Sequence, residues 1–320
     1  MNLSEKDYKR ILLNYNLGKL KNWRIIKTGT VQTNCLIETF KGKFVIRFYN
    51  FRSIESIKFE INLINYILRR KYPTASPIKG KNKKYLNFFK RMTYVLFVFI
   101  KGKHICDTSQ KQFENIVKAA ALLNNMTKNY HPKYRKYRWN YSPSFCKDIA
   151  SKKSRELGTF NAKKKYEWIK NELGKLELPS SLPKGVCHCD FHYTNVLFNK
   201  NELVALIDFD DANYTYLTYD LASLINPFKQ GFNWDTWTSF NQYEEIVTLD
   251  NSKKVAGLYN KYRKLNPVEK NHLYDVLKLS ILIDSLWFFE RGNFEDFFEK
   301  RKIEALNKLG RKEFFHRLFT

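Results

Sequence analysis

The run VCHCDFHYTNVLF, residues 186–198, crowds two thiols, two imidazoles, a carboxylate and an amide together before LVALIDFDDA follows at 203–212. A metal centre would draw on Cys187, His188, Cys189 and His192. Neighbouring residues of an extended chain point to opposite faces, so His188 cannot easily join its two flanking cysteines around one tetrahedral ion. No C-x2-C pair elsewhere completes a structural zinc site. Nothing marks either cysteine as an activated thiol. The two cysteines read as small buried residues beside the loop.

The carboxylates and the amide give a fuller account. Asp190 and Asn195 stand in the spacing D-x4-N, and Asp208 follows thirteen residues after Asn195, at the end of the apolar run LVALI. This is the spacing of the catalytic loop H-R-D-x4-N. Phosphoryl transfer uses such a set: one carboxylate orients the attacking hydroxyl and accepts its proton, while an amide oxygen and a second carboxylate hold Mg2+ on the nucleotide phosphates. A tight loop followed by a short hairpin would bring all three to one mouth.

These elements, HCDFHYTNVLF…LVALIDFDDANYTYLTYDLA, resemble the signature of the aminoglycoside phosphotransferase and choline kinase superfamily, small-molecule kinases with a protein-kinase-like fold. Upstream, YNLGKLKNWRIIKTGTVQTNCLIETFKGKFVIRFY is similar to the amino-terminal lobe of bacterial homoserine kinases of that superfamily and of related kinase-like proteins. The resemblance spans about residues 8 to 228. It implies Asp190 as catalytic base and Asn195 and Asp208 as Mg2+ ligands, with Asp210 adding to the metal or substrate shell. His188 would hold the catalytic loop, and Asp220 would brace it from a helix start. The ordinary alternative for each acid is surface or capping use.

On the nucleotide side, TGTVQTN would be the turn over the phosphates. Gly29 would allow close backbone approach, and Thr30, Thr33 or Asn34 would offer hydrogen bonds; an ordinary hairpin is the alternative. In protein kinases a strand lysine pairs with a glutamate on the following helix. FVIR puts Arg47 at that position, with Glu60 as its helix partner. An arginine can bridge α- and β-phosphates, but as a fork rather than a point charge. The resemblance places the adenine at FVFIKG, against backbone groups of Phe99 to Lys101. ATP and Mg2+ are the cofactors implied.

The surrounding elements must position these groups. Ser4 is an N-cap ahead of an amphipathic helix ending near Gly18. Residues 23–49 read as a β-meander, in which Phe44, Ile46 and Phe48 share one face and Val45, Arg47 and Tyr49 the other. Ile54, Ile57, Ile61, Ile64 and Leu68 recur at helical spacing, with Glu60 inside that helix. YPTASPI halts it, and 84–102 reads as two further strands joined by a turn. After about 108 the chain reads as helices, apart from short strands at 194–209. The expected class is α+β and bilobal: a small β-sheet lobe with one main helix over 1–102, which binds nucleotide, and a larger, mainly helical lobe over 103–320, which carries catalysis and substrate.

A 43% hydrophobic content with 16% aromatics excludes wholesale disorder. The net charge of +26 attracts polyanions whatever its cause. The basic runs KNKK and KNYHPKYRKYR (128–138) read as solvated loops, although the tyrosines of the second could stack on bases or its cations hold an anion. A nucleic-acid partner is not expected despite the charge. The amino terminus lacks a signal-peptide pattern and no apolar run is long enough to span a bilayer. The five cysteines, odd in number, read as reduced thiols in a cytoplasm.

The favoured function is an ATP-dependent kinase for a small hydroxylated metabolite such as homoserine, choline or an amino sugar. An aminoglycoside-type antibiotic kinase is the first alternative, though the overall charge disfavours capture of a polycation. A nucleotide- or RNA-binding pseudokinase is the second, against which stand the base, amide and metal acid all present. A protein kinase lacks support, since no long activation segment or A-P-E follows Asp208. The carboxy-terminal helices should select the acceptor. In LSILIDSLWFFERGNF, Leu279, Ile283 and Leu286 sit at core spacing, Trp287, Phe288 and Phe289 are mainly packing, and Arg291 is a cation able to meet a carboxylate, with a surface ion pair as its alternative.

Overall fold

The computed structural model describes residues 3–26, 31–105, 108–226, 249–294 and 297–320. The chain forms two compact units: a first, made of Met1–His104, Pro132–Arg138 and Asn195–Asp210, and a second, made of Ile105–His131, Trp139–Thr194 and Asp211–Thr320. The class is α+β, with an antiparallel sheet in the first unit and mostly helices in the second.

In the first unit, α1 (Glu5–Leu12) is opened by a reciprocal capping box between Ser4 and Asp7. It stops earlier than the expected Gly18. The backbone bonds of Leu13, Asn14 and Tyr15 tighten to partners three residues back, and the asparagines at 14 and 16 favour turns over helix. Strands β1 (Leu20–Ile26), β2 (Thr33–Thr39) and β3 (Gly42–Tyr49) form the expected meander. β4 (Pro77–Ile78), β5 (Leu86–Phe89) and β6 (Met92–Val98) complete the sheet, in the order β1-β2-β3-β6-β4 with β5 beside β6. β4 lies within the stretch expected only to halt a helix; at two residues it is too short to show a periodicity.

The alternation in β3 sorts its neighbours. Phe44, Ile46 and Phe48 join Cys35, Ile37, Tyr94 and Leu96 and the apolar stripe of α1 (Tyr8, Ile11, Leu12) in one buried cluster. Arg47 points to the opposite face, where β3 register sets it across from Val95 of β6 and Asn34 of β2. Helix α2 (Ile54–Leu68) is capped by Ser53 and buries Ile57, Ile61, Ile64 and Glu60.

The hairpin β8 (Val196–Asn199) with β9 (Glu202–Leu206) also belongs to the first unit. It is tied to the strand-exit segment by reciprocal backbone bonds between Lys103 and Phe198, both 2.9 Å. Gly102 is required by this approach: a Cβ there would lie 2.9 Å from the Cβ of Leu197 and 3.0 Å from Val204.

The second unit contains α3 (Gln110–Thr127), α4 (Pro143–Leu157), α5 (Phe160–Gly174), α6 (Tyr219–Ile225), α7 (Leu249–Tyr262), α8 (Pro267–Asn271), α9 (Leu273–Glu290), α10 (Phe297–Leu309) and α11 (Arg311–Phe319). α9 is buried along most of its length, as its apolar composition on all sides requires. This unit also holds a two-stranded sheet that the helical reading missed: β7 (Lys184–Cys187) pairs with β10 (Asn213–Tyr216). Four residues each are too few to register as alternation, and their pairing is with a distant segment. Among the described residues no helix is long and apolar enough to cross a membrane.

The tight seat of Gly102 yields a test. Gly102→Ala should cost about 1–3 kcal/mol through overpacking against the hairpin, read by urea unfolding; unchanged stability would mean the hairpin does not press on this residue.

Candidate active site

The end of the β8–β9 hairpin brings two of the candidate ligands together. Asn195 precedes β8, and its carbonyl accepts the backbone N–H of Ile207 at 2.8 Å. Asp208 is the next residue, so Asn195 and Asp208 leave the open end of the hairpin side by side. The Asn195 side chain is buried, whereas that of Asp208 is 38% exposed. Asp208 adopts a φ of +64°, a left-handed conformation that a β-carbon disfavours. Its Oδ1 accepts from the Asp210 N–H at 3.4 Å and from Nη2 of Arg47 at 2.6 Å.

Arg47 is therefore shared between the expected Glu60 and a second acid. Its Nη1 lies 3.6 Å from Oε1 of Glu60, too far for a hydrogen bond, and its short contact is with Asp208. Glu60 is 1% exposed. Burial pushes its pKa up, opposed by the Arg47 charge. For Arg47, burial works against the charge, but Asp208 and Glu60 hold the guanidinium firmly protonated.

Asp210 sits in a second ion pair. Arg52 donates from Nε to Oδ1 at 3.1 Å and from Nη2 to Oδ2 at 2.9 Å, a two-pronged contact. Gln32 adds its Nε2 to Oδ2 at 3.3 Å and accepts the backbone N–H of Asn50 at 2.9 Å. Burial would raise the Asp210 pKa, but Arg47 and Arg52 outweigh it and hold it below the ordinary value. Gln32 is thus the residue of TGTVQTN that the structure ties to this site, and the sequence reading passed over it. Asn34 lies half-buried on β2, opposite Arg47. Gly29 and Thr30 fall outside the described residues. Phe99 follows β6, and its N–H is already given to the carbonyl of Lys43 at 3.2 Å; that donor is not open to an adenine edge. Lys101 is exposed.

The basic run 128–138 is not solvated throughout. Arg138 is 8% exposed and bonds Ser56 and the backbone of 209 and 210, which corrects the loop expectation for that residue. A charge run carries no local sign of which member turns inward.

In the second unit, Asp190 is exposed and follows a braced turn. The Asp220 carboxylate accepts the backbone N–H groups of His188 at 3.1 Å and Cys189 at 2.9 Å, and the Asn124 amide at 2.7 Å. Tyr259 in turn donates to Asn124 at 2.6 Å. Cys189 takes a φ of +65°, turning the chain sharply before Asp190. Burial drives the Cys187 and Cys189 thiols well above their ordinary range, so both stay protonated.

Asp284 is an acid the sequence reading did not single out. Burial raises its pKa to about 7; Lys302 opposes this, while Glu299 and Asp190 add to it. Asn226 donates to it at 3.1 Å. A lone acid inside the apolar run LSILIDSLWFF was the available signal. Arg291 instead stacks on Trp287, with its guanidinium 3.4 Å from the ring centroid.

Among the described residues no group of three or more His, Cys, Asp or Glu is arranged to hold a metal by itself. What the first unit offers is the amide of Asn195 and the carboxylate of Asp208, on residues whose backbones leave the hairpin together. That set suits a hard cation such as Mg2+, which uses one or two carboxylates and takes its remaining oxygens from phosphate and water.

Known proteins resemble this chain over most of its length. The profile described as "Phosphotransferase enzyme family" (APH) matches residues 22–262. The homoserine kinase of Caulobacter vibrioides (strain NA1000 / CB15N) is 25% identical over 281 residues, covering 85% of this chain and 82% of that protein. That of Bartonella henselae is 25% identical over 272 residues, covering 83% and 79%. Among solved structures, an amicoumacin kinase in complex with AMP-PNP and Ca2+ superposes with a TM-score of 0.70 at 14% identity, over 99% of this chain and 97% of that one. A microcompartment-associated aminopropanol kinase superposes at 0.62 and 11% identity, over 95% and 94%. The likeness to these kinases shows a shared fold.

The Asp210 pair predicts an acid dependence. Its lowered pKa contributes stability that is present above the ordinary value of 3.8 and lost as pH falls through the folded value. Asp210→Asn should be less stable by about 3 kcal/mol at neutral pH, since Arg52 loses its charge partner. In urea melts the gap to the natural protein should narrow below pH 3.8; a constant gap would reject the pairing.

Proposed function

The chain belongs to the phosphotransferase enzyme family, and from that premise we propose that it moves the γ-phosphate of ATP to a hydroxyl of a small metabolite. The observation that carries this reading is the joint exit of Asn195 and Asp208 from one hairpin, with Arg47 on the Asp208 carboxylate. Asn195 and Asp208 would hold Mg2+, which when bound would neutralise charge on the nucleotide phosphates. Arg47 donates its fork to the phosphates as well. Asp190 orients the acceptor hydroxyl and takes its proton. The acceptor oxygen forms a bond to the γ-phosphorus while the bond from that phosphorus to the β–γ bridging oxygen breaks, and ADP leaves.

Homoserine is the first acceptor to try, because the similar curated proteins are homoserine kinases. Homoserine carries an ammonium group. Choline and amino sugars share that positive charge, and an antibiotic bearing amines is the second reading on the same ground.

The test is ATP consumption with homoserine, choline, ethanolamine, sugars and aminoglycosides in turn, with the product identified by 31P NMR. One acceptor should stand out. With it, Asp190→Ala should lower kcat by roughly 10²–10⁴ while the fold persists, the span that general-base catalysis supplies. Unchanged turnover would remove Asp190 from the mechanism. Asp208→Ala should abolish the Mg2+ dependence of nucleotide binding, measured by calorimetry.

A further inference from the structure

Among the described residues of the first unit, one buried cation remains without a part in this chemistry. Arg138 ends the basic stretch KNYHPKYRKYR, yet only 8% of its surface is exposed. Its Nη2 donates to two backbone carbonyls, those of Phe209 at 2.9 Å and Asp210 at 2.5 Å. Its Nη1 donates to the Ser56 hydroxyl at 2.7 Å, and the guanidinium lies 4.9 Å from the centroid of the Phe59 ring. Ser56 and Phe59 belong to α2, the helix that carries Glu60. All of these residues lie in the first unit. One side chain thus joins the helix of the Arg47 partner to the turn that starts at Asp208.

We propose that Arg138 is a positioning residue that holds the Asp208 turn in its metal-binding conformation; this deepens the phosphotransferase reading and rests on it. Asp208 has a φ of +64°, a backbone state that persists only where its surroundings over-determine it. Arg47 and Arg52 restrain the turn through the carboxylates of Asp208 and Asp210. A cation and nucleotide phosphates compete for the first of those contacts, because they attract the same carboxylate and the same guanidinium. The carbonyls of 209 and 210 enter no such competition. Arg138 therefore keeps the turn in place whichever partner Asp208 takes. A lysine cannot replace it, since a single ammonium lacks the planar fork that spans a hydroxyl on one side and two carbonyls on the other.

The test is Mn2+ binding to the full chain with ADP present, followed by the loss of the free-ion electron paramagnetic resonance signal. Fluorescent ADP binding in EDTA is measured in parallel. Arg138→Met should weaken Mn2+ about ten-fold, the usual consequence of losing a residue that orients a metal ligand, while metal-free nucleotide affinity stays near that of the natural protein. Arg138→Lys should recover only part of the loss. Ser56→Ala, which removes one anchor and leaves the rest, should weaken Mn2+ about three-fold, and it serves if Arg138→Met does not fold. Unchanged Mn2+ affinity in Arg138→Met, or in Ser56→Ala where the former is unfolded, overturns the proposal. So does an equal loss of metal-free nucleotide binding, which marks a general collapse. A natural protein with no metal-dependent nucleotide binding instead overturns the phosphotransferase reading, and it is told apart because it appears before any variant is compared.

Discussion

A buried charge in a protein interior must be paired and hydrogen-bonded, and the first unit is arranged around that requirement. Arg47, Glu60, Arg138 and Asp210 are each less than a tenth exposed. With the more exposed Arg52 and Asp208 they form a balanced set of three guanidiniums and three carboxylates. Removing any one would strand a neighbour in a poorly solvated place. Strand β3, helix α2, the segment 132–138 and the turn 208–210 are therefore linked: Arg47 lies between Asp208 and Glu60, and Arg138 joins Ser56 to the carbonyls of Phe209 and Asp210.

That geometry explains features which look unfavourable one at a time. Asp208 occupies a left-handed backbone conformation, which costs roughly 1 kcal/mol for a residue with a β-carbon. Gly102 gives up any side chain so that the hairpin can lie against the strand exit. Both concessions bring Asn195 and Asp208 out together. Apolar packing on the far face of the sheet supplies the rigid support: the buried cluster of Phe44, Ile46 and Phe48 with α1 fixes β3, and so fixes where Arg47 can reach. The second unit solves a similar problem with backbone donors. Asp220, fully buried, is satisfied by the N–H groups of His188 and Cys189 and by Asn124. The turn before Asp190 is thereby braced by hydrogen bonds to Asp220.

The choice of arginine at 47 follows from the same setting. A lysine offers one compact charge, whereas the fork meets Asp208 with one nitrogen and lies toward Glu60 with the other. Asp208 takes the short contact, at 2.6 Å, and Glu60 the longer one, at 3.6 Å. The arginine that faces nucleotide in the proposed reaction thus also holds the carboxylate proposed as a metal ligand.

Much of this could be read from residue order alone, because it rests on local regularities. The D-x4-N spacing with Asp208 beyond it, the alternation that puts Arg47 opposite Phe44, Ile46 and Phe48, and the helical recurrence around Glu60 are each confined to a few turns or one strand. Which charges pair is a different matter. Arg47 and Asp208 are 161 residues apart, Gln32 and Asp210 178, and Arg138 and Phe209 71. No periodicity links such positions, so residue order suggested Glu60 for Arg47, which the fold keeps as an ion pair, but not Asp208, and it left Arg138 in solvent and passed over Gln32. The short strands β7 and β10 escaped for a related reason, since four residues become a strand only when a distant segment supplies the partner. Local spacing determined which chemical groups the chain owns; only the folded chain, by bringing distant charges such as Arg47 and Asp208 or Arg52 and Asp210 together, decided how they are held.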